Sequence, residues 1–311
     1  MVDLDDVRAA AKLIAGRTVR TPLVPWPDDR DLWLKPESLQ PTGAFKLRGA
    51  INAVAALPAN ERARGVVTHS SGNHGRAIVW AAREYGVPAA VVMPDDSPRV
   101  KVDGVRALGA EVITVPAAER KVRVAALQAE RGMAVVPPFD DEAIIAGQGT
   151  VGLEIAEDLA DVGTVLVPVG GGGLISGVAV AVKALVPGVR VVGVEPELAG
   201  DLAEGFAAGR RTEWDPALTA RTIADGLRGG AVGVANWAHI SALVDDVVTV
   251  NEDAILAAMA RIATGARLVA EPSGAVAAAA YWELPGVASG PTVAVVSGGN
   301  VTPSLLARMI T

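Results

Sequence analysis

The chain has no cysteine, which excludes disulfides, thiolate metal sites and cysteine nucleophiles. Charge is also scarce: 20% of the 311 residues are charged against 50% apolar. That balance excludes a disordered chain and allows a large core. Basic residues are in deficit, with 28 Lys and Arg against 35 Asp and Glu for a net charge of −7. The basic footprint of a nucleic-acid-binding protein is therefore missing. No uncharged apolar run reaches the roughly 18 residues of a membrane span, so none is expected. The opening MVDLDDVRAA lacks the basic start and apolar middle of a secretory signal, and a cytoplasmic location is expected.

What is present is a rhythm of short Val-rich runs, glycine or polar turns, and Ala-rich helical stretches. Strands are predicted at Val66–Ser70, Ala89–Met93, Glu111–Val115 and Ala134–Val136, with helices at Gly75–Tyr85, Arg99–Leu108 and Glu119–Glu130 between them. A second series follows with strands Thr164–Val169, Val191–Glu195, Asp246–Val250 and Thr292–Ser297, and helices such as Leu174–Leu185 and Glu252–Thr264. Near-continuous apolar strands alternating with helices indicate α/β layers of parallel sheet covered on both faces. Leu32–Leu34 is a further strand whose sheet the spacing does not assign. Ligands of such sheets collect beyond the carboxyl ends of the strands, so the turns there are where chemistry is sought.

Four stretches carry candidate chemistry. In VLVPVGGGGLISG, Gly170, Gly171, Gly172 and Gly173 lie between a strand and a helix. Four consecutive glycines are costly to order, but they suit backbone amides that must approach an anion at a helix N-terminus. The same letters also spell a dinucleotide-type GxGxxxG (Gly171, Gly173, Gly177), with Glu195 ending the next strand as a ribose ligand, and the loop alone does not choose. In THSSGNHGRA, Ser70, Ser71, Gly72, Asn73 and His74 open a helix. One of them suffices as a cap; together they offer donors for a carboxylate or a phenolate-like oxygen. In VAVVSGGNV, Ser297 ends a strand with an uncharged hydroxyl able to meet a ring nitrogen, or is a plain turn residue. In KLRGA, Lys46 is a surface lysine unless desolvation frees its amine to act as a nucleophile.

In combination, KPESLQPTGAFKLRGA, SSGNHGRA, VGGGGLISG, VEPE, TIADGL, EPSGA and SGGN resemble the fold-type II pyridoxal-phosphate enzymes, above all the serine/threonine dehydratase and serine racemase group. The likeness runs from about Thr21 to Pro303. It implies two open twisted, mostly parallel sheets flanked by helices, with the active site between domains. Residues 1–53 and 142–311 would form a large cofactor-binding domain and 54–141 a small mobile one. It also implies that Lys46 joins the aldehyde of pyridoxal 5′-phosphate and that Gly170 to Gly173 cradle the phosphate. Asn73 would bond the phenolic oxygen and Ser297 the ring nitrogen, with Phe45 beside the ring and Gly226 and Glu271 nearby. Ser70, Ser71, Gly72 and His74 would surround the carboxylate of a small amino-acid substrate, and Arg120 would reach its side chain. Ser71 is the acid/base opposite the lysine in the racemases. Glu195, the Ala199 carbonyl and Asp201 match a Mg²⁺ or Ca²⁺ site, which makes Glu195 a cation ligand rather than a ribose ligand. A homodimer is implied as well.

The expected reaction is β-elimination from L-threonine or L-serine, giving 2-oxobutanoate or pyruvate and ammonia. A serine racemase and a 3-hydroxyaspartate ammonia-lyase are the alternatives. Two positions depart from the family pattern. Ala44 replaces a serine beside the phosphate, and Pro137 a histidine. The chain ends soon after SGGNV, without the regulatory domain of biosynthetic threonine dehydratases, so isoleucine feedback is not expected.

Overall fold

The structure is a computed structural model that describes residues 1–310 except Ser71, Asp96 and Pro98; for Val100 and Lys101 only the backbone is described. Ten strands occur among the described residues: β1 (Val24–Trp26), β2 (Asp29–Pro36), β3 (Val66–His69), β4 (Ala89–Pro94), β5 (Glu111–Val115), β6 (Ala134–Val135), β7 (Thr164–Pro168), β8 (Arg190–Pro196), β9 (Asp246–Val250) and β10 (Thr292–Val296). They form a six-stranded sheet ordered β1-β2-β10-β7-β8-β9 and a four-stranded sheet ordered β5-β4-β3-β6. Every pairing is parallel except the β1–β2 hairpin at one edge.

The central strands show why. TVLVP of β7 and TVAVV of β10 are buried at every position, as strands covered by helices on both faces must be. At the edge of the smaller sheet, β5 alternates exposed Glu111 and Thr114 with half-buried apolar residues, a pattern that discourages further pairing. The predicted α/β architecture with two mostly parallel sheets is therefore borne out. Leu32–Leu34 belongs to β2, which pairs in parallel with β10 from Leu32↔Thr292 to Pro36↔Val296. No helix among the described residues is long and apolar enough to cross a membrane.

Three local details depart from expectation. KLRGA is helical, Lys46 being the first residue of Lys46–Ala56. Its Gly49 does not break the helix, because it serves contact with Gly147 of the helix Glu142–Asp158. The helix predicted from Gly75 begins at Asn73, so Asn73 and His74 occupy its first turn. The helix from Glu252 ends at Arg261 and passes through a π-helical turn, Ile262–Ala266, to Arg267, whose φ is +59°.

Candidate active site

The carboxyl ends of β10, β7 and β3, with the helices that follow, bring the sequence-predicted residues towards one another. The Lys46 segment is stitched to the turn after β10. Phe45 N donates to Ser297 O (3.0 Å), Gly299 N donates to Gly43 O (2.9 Å), and Ala44 bridges Gly298. Lys46 follows at the start of its helix. Its Nζ donates to the carbonyl of Pro138 (2.6 Å) and stands 5.0 Å from the centroid of the Phe45 ring. Desolvation lowers the amine to about 8, and the positive end of a helix works in the same direction. With no carboxylate partner among the described residues, a useful fraction of free amine exists near neutrality.

The glycine loop joins β7 to the helix Gly173–Leu185. The Gly171 carbonyl accepts from Gly233 N (3.0 Å) and Asn236 Nδ2 (2.8 Å). The four loop amides donate no hydrogen bond among the described residues. Gly172 has φ +90°, and the ring of Phe139 occupies the place of any side chain at Gly171. Uncommitted amides at a helix N-terminus on side-chain-free backbone are what a phosphate requires. Gly177 serves a different end. It packs against Ile145 and Gly149 of the helix Glu142–Asp158, and both Glu195 oxygens accept amides elsewhere. The dinucleotide reading of this loop is thereby left without its third glycine and its acid.

Asn73 is held at both ends. Its Nδ2 donates to Glu271 Oε1 (2.6 Å), and its Oδ1 accepts from Asn300 Nδ2 (2.7 Å). Glu271 is buried at the N-cap of the helix Pro272–Glu283, its own N–H bonded to Gly298 O (3.0 Å). Ser297 is buried and donates weakly to Ser273 O (3.4 Å), while Gly226 N donates to Ser273 Oγ (2.9 Å). The loop after β3 is less engaged. Ser70 Oγ accepts from Gly72 N (3.2 Å), and the amides of Asn73, His74 and Gly75 bond to nothing among the described residues. A carboxylate suits such a helix start. His74 is buried with Nε2 3.2 Å from Val136 O. Burial, then the nearby Lys46 amine, hold its imidazole down to about 3, so the ring stays uncharged. Ser71 lies outside the described residues.

Arg120 is set further out. It starts the helix Arg120–Arg131, its Nε donates to Ala117 O (3.0 Å), and it acts with Lys121 in lowering the half-buried His69 at the end of β3, where burial is the larger cause. It makes no hydrogen bond to the residues just described. In β8, the neighbour of β7, Glu195 is the penultimate residue and accepts from Leu202 N (3.2 Å) and Ala203 N (2.8 Å). Burial, with Asp201 beside it, raises Glu195 well above the carboxylate range; burial raises Asp201 to about 7. Asp201 Oδ2 is buried without a partner, and Ala199 is buried in the intervening turn. No group of three or more His, Cys, Asp or Glu able to hold a metal occurs among the described residues. Two crowded carboxylates and a carbonyl remain a donor set suited to a hard cation that keeps waters.

Several contributors escaped sequence reading. Pro138 receives the Lys46 amine, Phe139 covers the glycine loop, and Asp140 caps the helix Val234–Leu243 by accepting from Val234 N (3.1 Å) and Ala235 N (2.9 Å). All three lie in VPPFDD, just past the end of β6, where the strand-end rule would have directed a search.

The residues present fit pyridoxal 5′-phosphate: a free amine, an uncommitted amide cradle, an amide donor and an uncharged hydroxyl. The model of the family described as pyridoxal-phosphate dependent enzyme matches residues 14–298. The chain is 40% identical over 319 residues to an L-threonine ammonia-lyase of Thermotoga maritima, covering 100% of this chain and 78% of the relative. It is 40% identical over 285 residues to a serine racemase of Oryza sativa subsp. indica, covering 89% and 83% respectively. The solved structure of maize serine racemase matches with a TM-score of 0.91 at 38% identity, covering 99% of this chain and 96% of that one. Matched by the family model over residues 14–298 and by full-length relatives of the same fold, the chain belongs to the pyridoxal-phosphate-dependent enzyme family, fold type II, and takes pyridoxal 5′-phosphate as its cofactor.

Proposed function

We propose that the protein is an ammonia-lyase that removes the β-hydroxyl and the amino group of L-threonine or L-serine, releasing 2-oxobutanoate or pyruvate and ammonia. The observation that carries this reading is the Lys46 amine, lowered to about 8 and bonded to a carbonyl rather than a carboxylate. When bound, the cofactor supplies an electron sink that makes the Cα–H bond of an amino acid acidic. Lys46 would hold the cofactor aldehyde through Nζ, and the same atom would take the Cα proton of the substrate. The amides of Gly170 to Gly173 hold the phosphate. Asn73 donates to the phenolic oxygen, Phe45 flanks the ring, and Gly226 and Glu271 stand nearby. Ser297 would meet the ring nitrogen with an uncharged hydroxyl, which suits loss of a β-leaving group. Ser70, Gly72, the first amides of the Asn73 helix and His74 would orient the substrate carboxylate, and Ser71 is assigned to the same task.

Racemisation of serine is the second reading, supported by a serine racemase relative as similar as the ammonia-lyase. Ser71 is its second proton donor. A 3-hydroxyaspartate substrate would draw on Arg120. We further assign residues 54–141, which carry all four strands of the small sheet, to a mobile domain, and residues 1–53 with 142–311 to the cofactor domain. Glu195, Ala199 and Asp201 are assigned to a Mg²⁺ or Ca²⁺ ion, and the protein to a cytoplasmic homodimer.

The test is a panel of L- and D-hydroxy amino acids assayed for keto acid and for racemisation, with and without Mg²⁺. Lys46→Ala is expected to lose both turnover and the near-visible absorbance of the bound cofactor. Wild-type turnover in that variant would refute the mechanism.

A further inference from the structure

Asn73 belongs to a chain of side-chain amides whose direction is set from both ends. At one end Asn300 Nδ2 donates to the Thr42 carbonyl (2.8 Å), which can only accept. The same nitrogen donates to Asn73 (2.7 Å), so the atom facing it there must be Oδ1. At the other end Asn73 Nδ2 lies 2.6 Å from the carboxylate of Glu271, again an acceptor. Amide orientation is ordinarily ambiguous because O and N look alike, and the hydrogen-bond network must decide it. Here two unambiguous acceptors, 229 positions apart in the chain, force the same answer for both asparagines. Turning either amide over would set oxygen against oxygen. Gly43, with φ +75°, makes the arrangement possible: a side chain there would run into the Asn300 amide.

One proton of Asn73 Nδ2 is given to Glu271, and the second meets no acceptor among the described residues, which leaves it for a guest. The proposed function needs that proton, since the cofactor's phenolic oxygen accepts. On that reading of the site, we propose that Asn300 is a positioning residue, which presents the Asn73 amide to the cofactor as a donor and not as an acceptor.

The discriminating substitution is Asn300→Asp. Its carboxylate offers only acceptors to Asn73, favours the turned amide, and would put the Asn73 carbonyl opposite Glu271 and the cofactor oxygen. Asn300→Ser keeps one donor. Apoprotein variants would be titrated with pyridoxal 5′-phosphate, following the Kd by fluorescence and the position of the long-wavelength absorption band. Asn300→Asp is expected to raise Kd roughly tenfold or more, as when a donor opposite an oxygen is replaced by an acceptor, and to shift the band. Asn300→Ser is expected to stay within about threefold of wild type. In an Asn73→Ala background, Asn300→Asp is expected to add less than about twofold, because coupled residues are non-additive. If Asn300→Asp does not fold, judged by the far-ultraviolet circular dichroism of the apoprotein, the uncharged Asn300→Val takes its place in the same cycle. Equal losses with and without Asn73, or a wild-type Kd and band in Asn300→Asp while Asn73→Ala binds weakly, would overturn the inference alone. Wild-type binding in Asn73→Ala would instead overturn the site reading on which it rests.

Discussion

Arg48, two residues after Lys46, offers the sharpest test of how the candidate site is supported. Its side chain is fully buried (0% exposed), between Glu37 (0%) and Glu154 (12%). Nε and Nη2 reach the Glu37 oxygens at 2.7 and 2.8 Å, and Nη1 and Nη2 reach those of Glu154 at 2.6 and 2.9 Å. Lys35, also buried, adds a 2.6 Å bond to Glu154. Two cations therefore balance two anions in a dry junction that ties β2, the Lys46 helix and the helix Glu142–Asp158 together. Arg48→Met keeps the bulk and removes one cation, which leaves a buried carboxylate uncompensated. Breaking a buried pair in this way costs about 3–5 kcal/mol, or a fall of roughly 5–8 °C in melting temperature for a chain of this size.

The pH dependence supplies an independent check. Burial alone would raise Glu37, yet the Arg48 guanidinium, together with the Thr21 hydroxyl and Lys35, holds the carboxyl below its ordinary 4.5. In the wild type this stabilisation is present above about pH 4.5 and is lost as pH falls through the depressed value. Without Arg48, burial dominates and the sign reverses: protonation relieves the buried charge, so the deficit of the variant should shrink between pH 7.5 and 5.5. The assay is urea unfolding of apoprotein at both pH values, repeated in a Glu37→Gln background, where much of the loss should be recovered. A deficit under about 1 kcal/mol at pH 7.5, or one unchanged by pH and by Glu37→Gln, would refute the reasoning.

Three further outcomes are expected. Reductive trapping of pyridoxal by apoprotein should titrate with a midpoint near 8 at Lys46; a midpoint near the ordinary 10.5 would contradict the desolvated amine. With Glu195 and Asp201 both raised, the latter to about 7, cation-free protein should lose stability as pH rises through 7. Saturating Mg²⁺ or Ca²⁺ should abolish that decline in melting temperature, and superimposable profiles with chelator and with cation would remove the metal assignment. Arg267, a non-glycine residue with φ +59°, should be stabilised by about 0.5–1 kcal/mol on replacement with glycine, measured by urea unfolding; no gain would mean the backbone there is unstrained.

The sequence by itself determined what depends on neighbours along the chain. Val-rich runs alternating with helical stretches marked the parallel strands, because a strand buried on both faces must be apolar throughout. Four glycines between a strand and a helix marked a candidate anion cradle, because only unhindered backbone brings amides so close. The lysine segment and SGGN were legible as motifs, yet their meaning depended on one another. Tertiary structure alone decided that β2 lies beside β10, that Gly49 and Gly177 serve helix crossings, and that Lys46 meets the Pro138 carbonyl. The same holds for the Arg48 junction and the chain from Thr42 through Asn300 and Asn73 to Glu271. Most of these contacts join segments some 90 to 260 residues apart, and the Gly177 crossing and the Arg48–Glu37 pair also join separate elements. Periodicity and propensity report on the nearest turn of chain, whereas the direction of a proton in a buried amide is set by whatever the fold places opposite it.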